Sequence, residues 1–428
     1  MGKERVMASE WKETTLGHLG RVVTGKTPLT AVKGNFGGHI PFVTPSDMGG
    51  RKSISSTARF LTHAGAASVK GSVIPAGSVM VSCIGSDMGK VVIAGRDCVT
   101  NQQINSIVVD DRFNSEFVYY SLSTRKSEIR HQAAGGSAVP ILNKSDFSWP
   151  EITLPPLSEQ KRIAHILGTL DDKIELNRRM NGTLEAIVQT LFRNWFVDFN
   201  PVRRNAEGES PRPQDSLFPD SFEDSELGEV PKGWRCTPIE DVCDINGWTL
   251  SKKDDLPTLE YVEISEVNRG DIANISNYSR GEEPSRARRR LRHGDTVLST
   301  VRPDRGSYFL ALDPPDNRVA STGFVVLTPT KAPWSYLHAA MIQPNVFEHL
   351  GHVADGGAYP AVRPEIVGAW KVAVPDSSKI LHAFHRTCAP LFEKAEANRI
   401  QSRTLGNLRD TLLPKLLSGE VSTLSSSL

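Results

Sequence analysis

The sequence predicts an α+β protein made of two repeated β-rich domains separated by a pair of long antiparallel coiled-coil helices, with pseudo-two-fold symmetry. Three observations carry this reading. Matched anchors recur at a nearly constant offset, short apolar runs are punctuated by Gly and Pro, and two stretches step their apolar residues by three and four. At 428 residues the chain is long enough for two or three domains, each burying its own core.

The repeat comes first, because self-similarity decides architecture. Residues 77–82 (GSVMVS) align with 294–299 (GDTVLS), and Gly89 then falls on Gly306, all at an offset of 217. Gly135, Gly136 and Trp149 fall on Gly356, Gly357 and Trp370 at an offset of 221, and Trp11 answers Trp234 near each start. Between anchors the residues differ freely, as in related domains with different surface chemistry. Runs such as SVMVSCI, KVVIAG and INSIVV, or DTVLSTV, SYFLAL and GFVVLT, are strand signals. A short amphipathic helix is expected in each copy, around 115–130 and 334–350.

Beyond LPPLSEQ the character changes. Ile163, Leu167, Leu170, Ile174, Leu184, Val188, Leu191 and Trp195 follow a heptad seam whose middle positions are Asn177 and Asn181. Polar residues inside such a seam fix register at some cost in stability. Pro155 and Pro156 precede the helix and Ser158 reads as its N-cap, with Lys161 where Glu would complete a capping box. The seam reappears as Phe384, Cys388, Leu391, Ala395, Asn398, Ser402, Leu405, Leu412 and Leu416, with Arg409 a poor fit. Two helices of roughly 35 to 40 residues are about 55 to 60 Å long, too long for one globular core and suited to each other. An antiparallel two-fold arrangement sets Asn177 opposite Ser402 and Asn181 opposite Asn398. The expected boundaries are a first domain at 1–153, a helix at 154–199, a linker at 200–232, a second domain at 233–375, a second helix at 376–418 and a tail at 419–428. The linker is rich in Pro, Glu, Asp and Ser, which reads as extended chain.

Composition excludes several classes. No run of 18 apolar residues exists, the N-terminus lacks a signal-peptide core, and Val6 stands where a myristoylation signal needs Ser or Thr. Cys83, Cys98, Cys236, Cys243 and Cys388 are sparse, odd in number and without CxxC spacing, which fits reduced thiols in a cytoplasm. Asp313, Pro314, Pro315 and Asp316 resemble an amino-methyltransferase loop, but Asp316 replaces the aromatic residue that stacks on a base, so a turn is expected. Asp220 and Glu223 lack the Glu-x-Lys strand of a nuclease. No Walker loop occurs, the pairs His349/His352 and His382/His385 lack further ligands, and no Gly-x-Ser-x-Gly context surrounds Ser82 or Ser299. No active site and no metal site is expected.

Net charge is +1, yet residues 286–305 hold Arg286, Arg288, Arg289, Arg290, Arg292, Arg302 and Arg305 against Asp295 and Asp304, a local charge of +5. Gly-rich loops beside hydrogen-bonding side chains suit base and phosphate contact. The candidates are Ser82, Ser86, Lys90, Gln102, Gln103, Ser137, Asn143 and Lys144 in the first copy, with Arg288, Arg290, Arg302, Arg305, Tyr359 and Arg363 in the second. Arg302 and Arg305 suit guanine edges, Asn101, Gln102 and Gln103 suit adenine, and Lys90 or Arg290 suits phosphate.

At these residues the chain resembles the specificity subunit of a type I restriction-modification system (HsdS). The resemblance covers nearly the whole chain. It is carried by 11–28 (WKETTLGHLGRVVTGKTP), 40–48 (IPFVTPSDM), 101–103 (NQQ), 154–163 (LPPLSEQKRI), 192–199 (FRNWFVDF) and the segment ending DSELGEVPKGW. The second copy departs from it, reading VPDSS at 374–378. The resemblance implies a non-catalytic DNA reader in which two target-recognition domains each read half of a bipartite asymmetric site in double-stranded DNA. Its helices would act as a ruler and dock a methylation subunit, in two copies. S-adenosylmethionine, ATP and Mg would sit on that subunit and on a restriction subunit, with no cofactor on this chain. Phe192, Trp195 and Phe196 are left as either docking surface or core. Two other classes stay open at this point: a scaffold that never touches DNA, and a single-chain methyltransferase.

Overall fold

Each apolar run bounded by Gly or Pro forms a strand, and the strands assemble twice in one order. The computed structural model describes residues 11–133, 141–208, 212, 214–357 and 359–421. It divides into two compact units, 1–176 with 401–428 and 177–400.

The first unit holds β1 (Lys12–Thr15), β2 (Gly20–Thr24), β3 (Phe36–Val43), β4 (Ser53–Ile54), β5 (Phe60–Leu61), β6 (Val73–Ile74), β7 (Val79–Ser82), β8 (Val91–Ala94), β9 (Cys98–Thr100), β10 (Ile104–Val109) and β11 (Glu151–Leu154). Its sheets run β1-β11, β2-β10-β7-β8-β4 and β5-β3-β9-β6. The second unit holds β12 (Phe222–Ser225), β13 (Gly228–Pro231), β14 (Trp234–Pro238), β15 (Cys243–Ile245), β16 (Thr258–Val262), β17 (Val267–Asn268), β18 (Asp271–Ile272), β19 (Ser276–Ser279), β20 (Ala287–Arg290), β21 (Asp295–Ser299), β22 (Tyr308–Ala311), β23 (Arg318–Ser321), β24 (Phe324–Pro329) and β25 (Lys371–Pro375). Its sheets run β14-β25, β15-β24-β21-β22 and β19-β16-β23-β20, with small hairpins β12-β13 and β17-β18.

Strand for strand, β2-β10-β7-β8 matches β15-β24-β21-β22, and β5-β3-β9-β6 matches β19-β16-β23-β20. Each matched set contains a parallel pair in the same place, β3 with β9 and β16 with β23. The sequence repeat is therefore a repeat of topology, since a parallel pair needs a long crossover and does not arise from chained hairpins.

Helices α1 (His63–Ser68), α2 (Ser115–Ser123), α3 (Lys126–Ala133), α4 (Lys144–Ser148), α5 (Leu157–Phe196), α6 (Asn200–Ala206), α7 (Trp334–Met341), α8 (Pro344–His352), α9 (Pro364–Gly368) and α10 (Ser378–Leu417) complete the fold. The single helices expected at 115–130 and 334–350 are each broken in two. Pro344 explains the second break, because it lacks an N–H and disfavours helical geometry at Gln343.

The long helices α5 and α10 have 40 residues each, about 60 Å at 1.5 Å per residue. Ser158 is not the N-cap of α5: the N–H groups of Glu159 and Gln160 both reach the Pro156 carbonyl, at 2.8 and 3.0 Å, so the first turn has already begun. Gln160 ties this start to the β-rich domain, donating to the Pro155 carbonyl at 2.9 Å and accepting from the Asn114 N–H at 3.0 Å. Of the seam residues, Ile163, Leu167, Asn177, Val188 and Asn398 are buried, while Leu170, Ile174, Asn181, Leu184, Leu191, Leu391, Ser402, Leu405 and Leu412 are half-buried.

In the second unit the helices pair antiparallel. Asn398 Nδ2 donates to Asn181 Oδ1 at 2.9 Å, Asn181 Nδ2 to the Ala395 carbonyl at 3.0 Å, and Asn177 Nδ2 to the Asn398 carbonyl at 3.3 Å. Further along, Phe192 meets Phe384 with ring centres 6.0 Å apart. In the first unit Arg409 departs from the apolar pattern for a reason. Its guanidinium donates to Asp171 Oδ1 at 2.5 Å, and Tyr120 donates its hydroxyl to Asp171 Oδ2 at 2.6 Å. Asp171 is buried. Burial, with the Asp171 charge beside it, raises the Tyr120 hydroxyl well above its ordinary pKa, which keeps it a donor.

One open alternative is decided and one expectation is corrected. Phe192, Trp195 and Phe196, left between docking surface and core, are core, enclosed with Phe384, Tyr336, Trp234 and Phe218. The segment expected as extended linker forms α6 and the β12-β13 hairpin, and three of its apolar residues, Val202, Phe218 and Val230, enter that core. Average composition hid this, because sparse apolar residues were sufficient once Arg204 clamped buried Asp215 through two bonds of 2.9 Å.

Arg409→Ala leaves Asp171 buried without its counter-charge and is expected to cost about 3–5 kcal/mol in denaturant unfolding, whereas Tyr120→Phe costs about 1 kcal/mol. A pH effect is expected from His338 in α7, which is buried and shares a 3.2 Å bond with Thr296 Oγ1. Burial, assisted by the Arg399 charge, pushes its pKa down from 6.5 to about 3. The folded state holds the neutral ring while the unfolded chain takes up a proton below pH 6.5. The stabilisation is therefore present above pH 6.5 and is lost as pH falls toward 3. Between pH 7 and 5 the native chain should lose about 2 kcal/mol more than the non-titrating His338→Asn variant in chemical unfolding.

Candidate nucleic-acid interface

The loop between β7 and β8 is shaped by two glycines in the left-handed region, Gly85 at φ 79° and Gly89 at φ 84°. Ser82 closes this loop from inside. It is fully buried, donates its hydroxyl to the Asp87 carbonyl and accepts the Lys90 N–H at 3.1 Å, so it does not face outward as expected. Lys90 is held by Asp87 at 2.9 Å and by the Pro45 carbonyl at 3.3 Å, which cancels the charge expected for phosphate. Asn101 is buried and donates to Gln103 Oε1 at 2.8 Å, while exposed Gln102 accepts from Thr27 Oγ1 at 2.7 Å. Asn143 is the N-cap of α4, accepting the Asp146 N–H at 3.0 Å. Ser86 and Lys144 are exposed. Ser137, with Gly135 and Gly136, lies outside the described residues.

A cleft of about 510 Å³ opens beside this loop, lined by Phe42, Thr44, Asp47, Arg59, Gly85 and Gln103 among others. Arg59, which the sequence reading passed over, sits 5.2 and 5.0 Å from the ring centres of Phe36 and Phe42. Asp47 orders the floor by accepting from the Thr44 N–H at 2.8 Å and the Ala58 N–H at 3.0 Å.

In the second unit the arginine-rich stretch divides into locked and outward members. Arg290 lies 3.8 Å from the Trp248 ring centre, pairs with Asp254 at 2.8 Å and donates to the Asp316 carbonyl at 3.3 Å. It is a structural clamp rather than a phosphate contact. Trp248 also carries Arg292 at 4.7 Å. Arg288 reaches Glu283 at 3.5 Å and the Ser285 carbonyl at 3.2 Å, and burial lowers the pKa of Arg289. By contrast Arg286, Arg305, Tyr359 and Arg363 are exposed. Arg302 is half-buried with its guanidinium 4.6 Å from the Tyr359 ring centre, and Tyr359 itself is 71% exposed. Arg302 holds φ 47° and ψ 57°, a conformation that costs a non-glycine residue about 1–2 kcal/mol.

Three of the four paired histidines pack or hydrogen-bond within the fold. His349 lies against Trp370 with ring centres 5.1 Å apart, His382 reaches the Ser378 carbonyl at 2.6 Å, and His385 meets Ser335 Oγ at 3.0 Å. Among the described residues no three His, Cys, Asp or Glu are grouped to hold a metal, and no helix is long and apolar enough to cross a membrane. The outward groups are thus hydrogen-bonding, aromatic and cationic, which suits contact with a polyanion bearing planar bases.

Residues 8–186 match the type I restriction modification DNA specificity domain. The chain is 25% identical over 419 residues to the type I restriction enzyme MjaIX specificity subunit of Methanocaldococcus jannaschii, covering 96% of this chain and 94% of that protein. It is 24% identical over 490 residues to the HindI specificity subunit of Haemophilus influenzae, covering 96% and 100%. Over nearly its whole length the chain is thus similar to type I restriction-modification specificity subunits. The crystal structure of the type I restriction-modification S subunit from M. genitalium shares the fold, with a TM-score of 0.57 at 16% identity over 95% of this chain and 96% of that one.

Within the second unit, exposure separates arginines that hold the fold from those that do not. Arg290→Ala should cost about 2 kcal/mol of stability, while Arg305→Ala stays within about 0.5 kcal/mol of the native chain, both by denaturant unfolding.

Proposed function

We propose that this chain is the sequence-reading component of a type I restriction-modification complex. It binds a bipartite asymmetric site in double-stranded DNA and brings a methylation subunit and a restriction subunit to it. One observation carries the reading most directly: two units share strand order, parallel pair and helix pairing, yet differ in the side chains their loops expose. A scaffold that joined partners without reading DNA would have no use for two differently furnished copies. Adenine methylation, ATP-driven translocation and cleavage belong to the partner subunits, two copies of the methylation subunit among them. Those subunits carry S-adenosylmethionine, ATP and Mg.

The outward arginines predict binding that weakens steeply with salt, log K falling by about 0.9 per log unit of salt for each phosphate neutralised. Mapping of modified adenines in cells with and without the chain should show a split motif that disappears on deletion. A continuous short motif overturns the two-reader model, and methyl transfer by the isolated chain overturns its assignment as a reader. The helices supply a sharper test at Gly182, where an added Cβ meets nothing within 4 Å. Four residues inserted there lengthen α5 by about 6 Å, close to two base pairs. The spacer between half-sites should change or binding should be lost, and an unchanged spacer refutes the ruler.

A further inference from the structure

The cleft of the first unit gathers residues from the end of β3, the approach to β5, the β7-β8 loop and the β9-β10 turn. Its cation is Arg59, whose backbone carbonyl accepts the Phe42 N–H at 3.0 Å. The guanidinium carbon lies 5.2 Å from the Phe36 ring centre and 5.0 Å from that of Phe42. Those rings meet edge to face at 5.7 Å and Phe42 is fully buried, so the arginine rests against a fixed aromatic corner. Arg59 is exposed, and among the described residues no hydrogen bond or carboxylate engages its guanidinium.

The second unit shows that the backbone does not require an arginine at this place. Ile104 opposite Ser82 corresponds to Phe324 opposite Ser299, so five residues upstream Val99 corresponds to Val319. Phe42 is the parallel partner of Val99, and Tyr261 that of Val319. On the neighbouring strand Ser276 is paired with Tyr261, and Arg59 stands opposite Phe42, one step beyond the Pro41–Phe60 pair. Serine thus fills in one unit the position that arginine fills in the other.

The charge of the cleft selects among the partners a guanidinium can take. Asp47 and Asp87 line it with Arg59. Asp87 is matched by Lys90 at 2.9 Å, whereas Asp47 accepts only from the Thr44 and Ala58 N–H groups and the Thr44 hydroxyl, with no cation paired to it among the described residues. A phosphate entering here would be repelled by that carboxylate, while the edge of a base carries strong acceptors and no net charge. Guanine offers two acceptors, O6 and N7, that match the fork of an arginine. Aromatic rings engage the face of the guanidinium and leave its N–H edge for such a pair.

We propose that Arg59 is a specificity-determining residue of the first unit, directing its guanidinium edge to O6 and N7 of one guanine in the major groove of that unit's half-site. The inference rests on the DNA-reading function proposed above.

The test is selection from a random duplex library by the full chain and by its Arg59→Ser variant, which carries the second unit's residue. The native chain should enrich a split motif with guanine at one position of one half-site. Discrimination there should fall from about 5- to 150-fold to near unity in the variant, with every other position kept. The slope of log K against log salt should not change, since no phosphate contact is lost. The variant's Tm should fall by no more than about 4 °C. A larger fall leaves the decision to the native chain, on whose motif 7-deazaguanine at that position should weaken binding about fivefold by removing one acceptor. Native binding that tolerates 7-deazaguanine at every guanine overturns the inference. Uniform weakening with a shallower salt slope marks a phosphate contact, and a motif unchanged at every position marks a packing residue; either overturns it. If the native chain enriches no motif and shows no salt-sensitive DNA binding, the underlying reading fails and takes the inference with it.

Discussion

An α-helix of 40 residues carries an apolar stripe along its whole length, and covering two such stripes is the condition on which the rest of this molecule depends. Each helix contributes about half its length to each unit, 157–176 and 401–417 to the first and 177–196 and 378–400 to the second. Neither core is complete without segments distant in sequence. Leu416 enters the first core beside Ile163 and Leu167, and Phe384 and Cys388 enter the second beside Val188 and Phe192. An apolar seam alone tolerates sliding by whole heptads. Buried polar groups do not, since a slip would strand Asp171 or the amides of Asn181 and Asn398 without partners. Register is thus set by a few hydrogen bonds, while the apolar contacts supply most of the driving force.

The scaffold was legible in the sequence because its determinants are local or periodic. Positive-φ glycines such as Gly77, Gly89, Gly294 and Gly306 are required by the turns that hold them, so they recur as anchors. Heptad steps reveal a helix whatever it packs against. Errors arose where local signals had several solutions. Ser158 looked like a cap, yet the chain turned helical two residues earlier, from Pro156. The segment around Phe218 and Val230 looked like linker, because its contribution to a core depends on Trp195 and Trp234 elsewhere.

The interface was less legible, for a related reason. Whether an arginine is a clamp or a contact depends on carboxylates and rings remote in the chain. Arg290 finds Asp254 and Trp248, and Arg318 finds Glu260 at 2.6 Å across the parallel pair of β16 and β23. A run of like charges therefore overstated the outward charge. Aromatic residues in loops were the signal to weigh alongside the basic stretch, as Trp248 lies against Arg290 and Arg292 and Tyr359 against Arg302.

In each unit the strand by which the chain arrives is hydrogen-bonded to the strand by which it leaves. Lys12 pairs with Leu154 across β1-β11, and Trp234 pairs with Pro375 across β14-β25. Each β-rich domain is therefore a closed loop of chain whose ends lie about 5 Å apart, one strand spacing. Closure entropy grows only with the logarithm of loop length, so lengthening such a loop by a quarter costs a few tenths of a kcal/mol. Growth or rewriting inside the loop is thus nearly invisible to the helices at its neck. Natural variation is free to accumulate in the domain interior as long as the two closing strands keep their register.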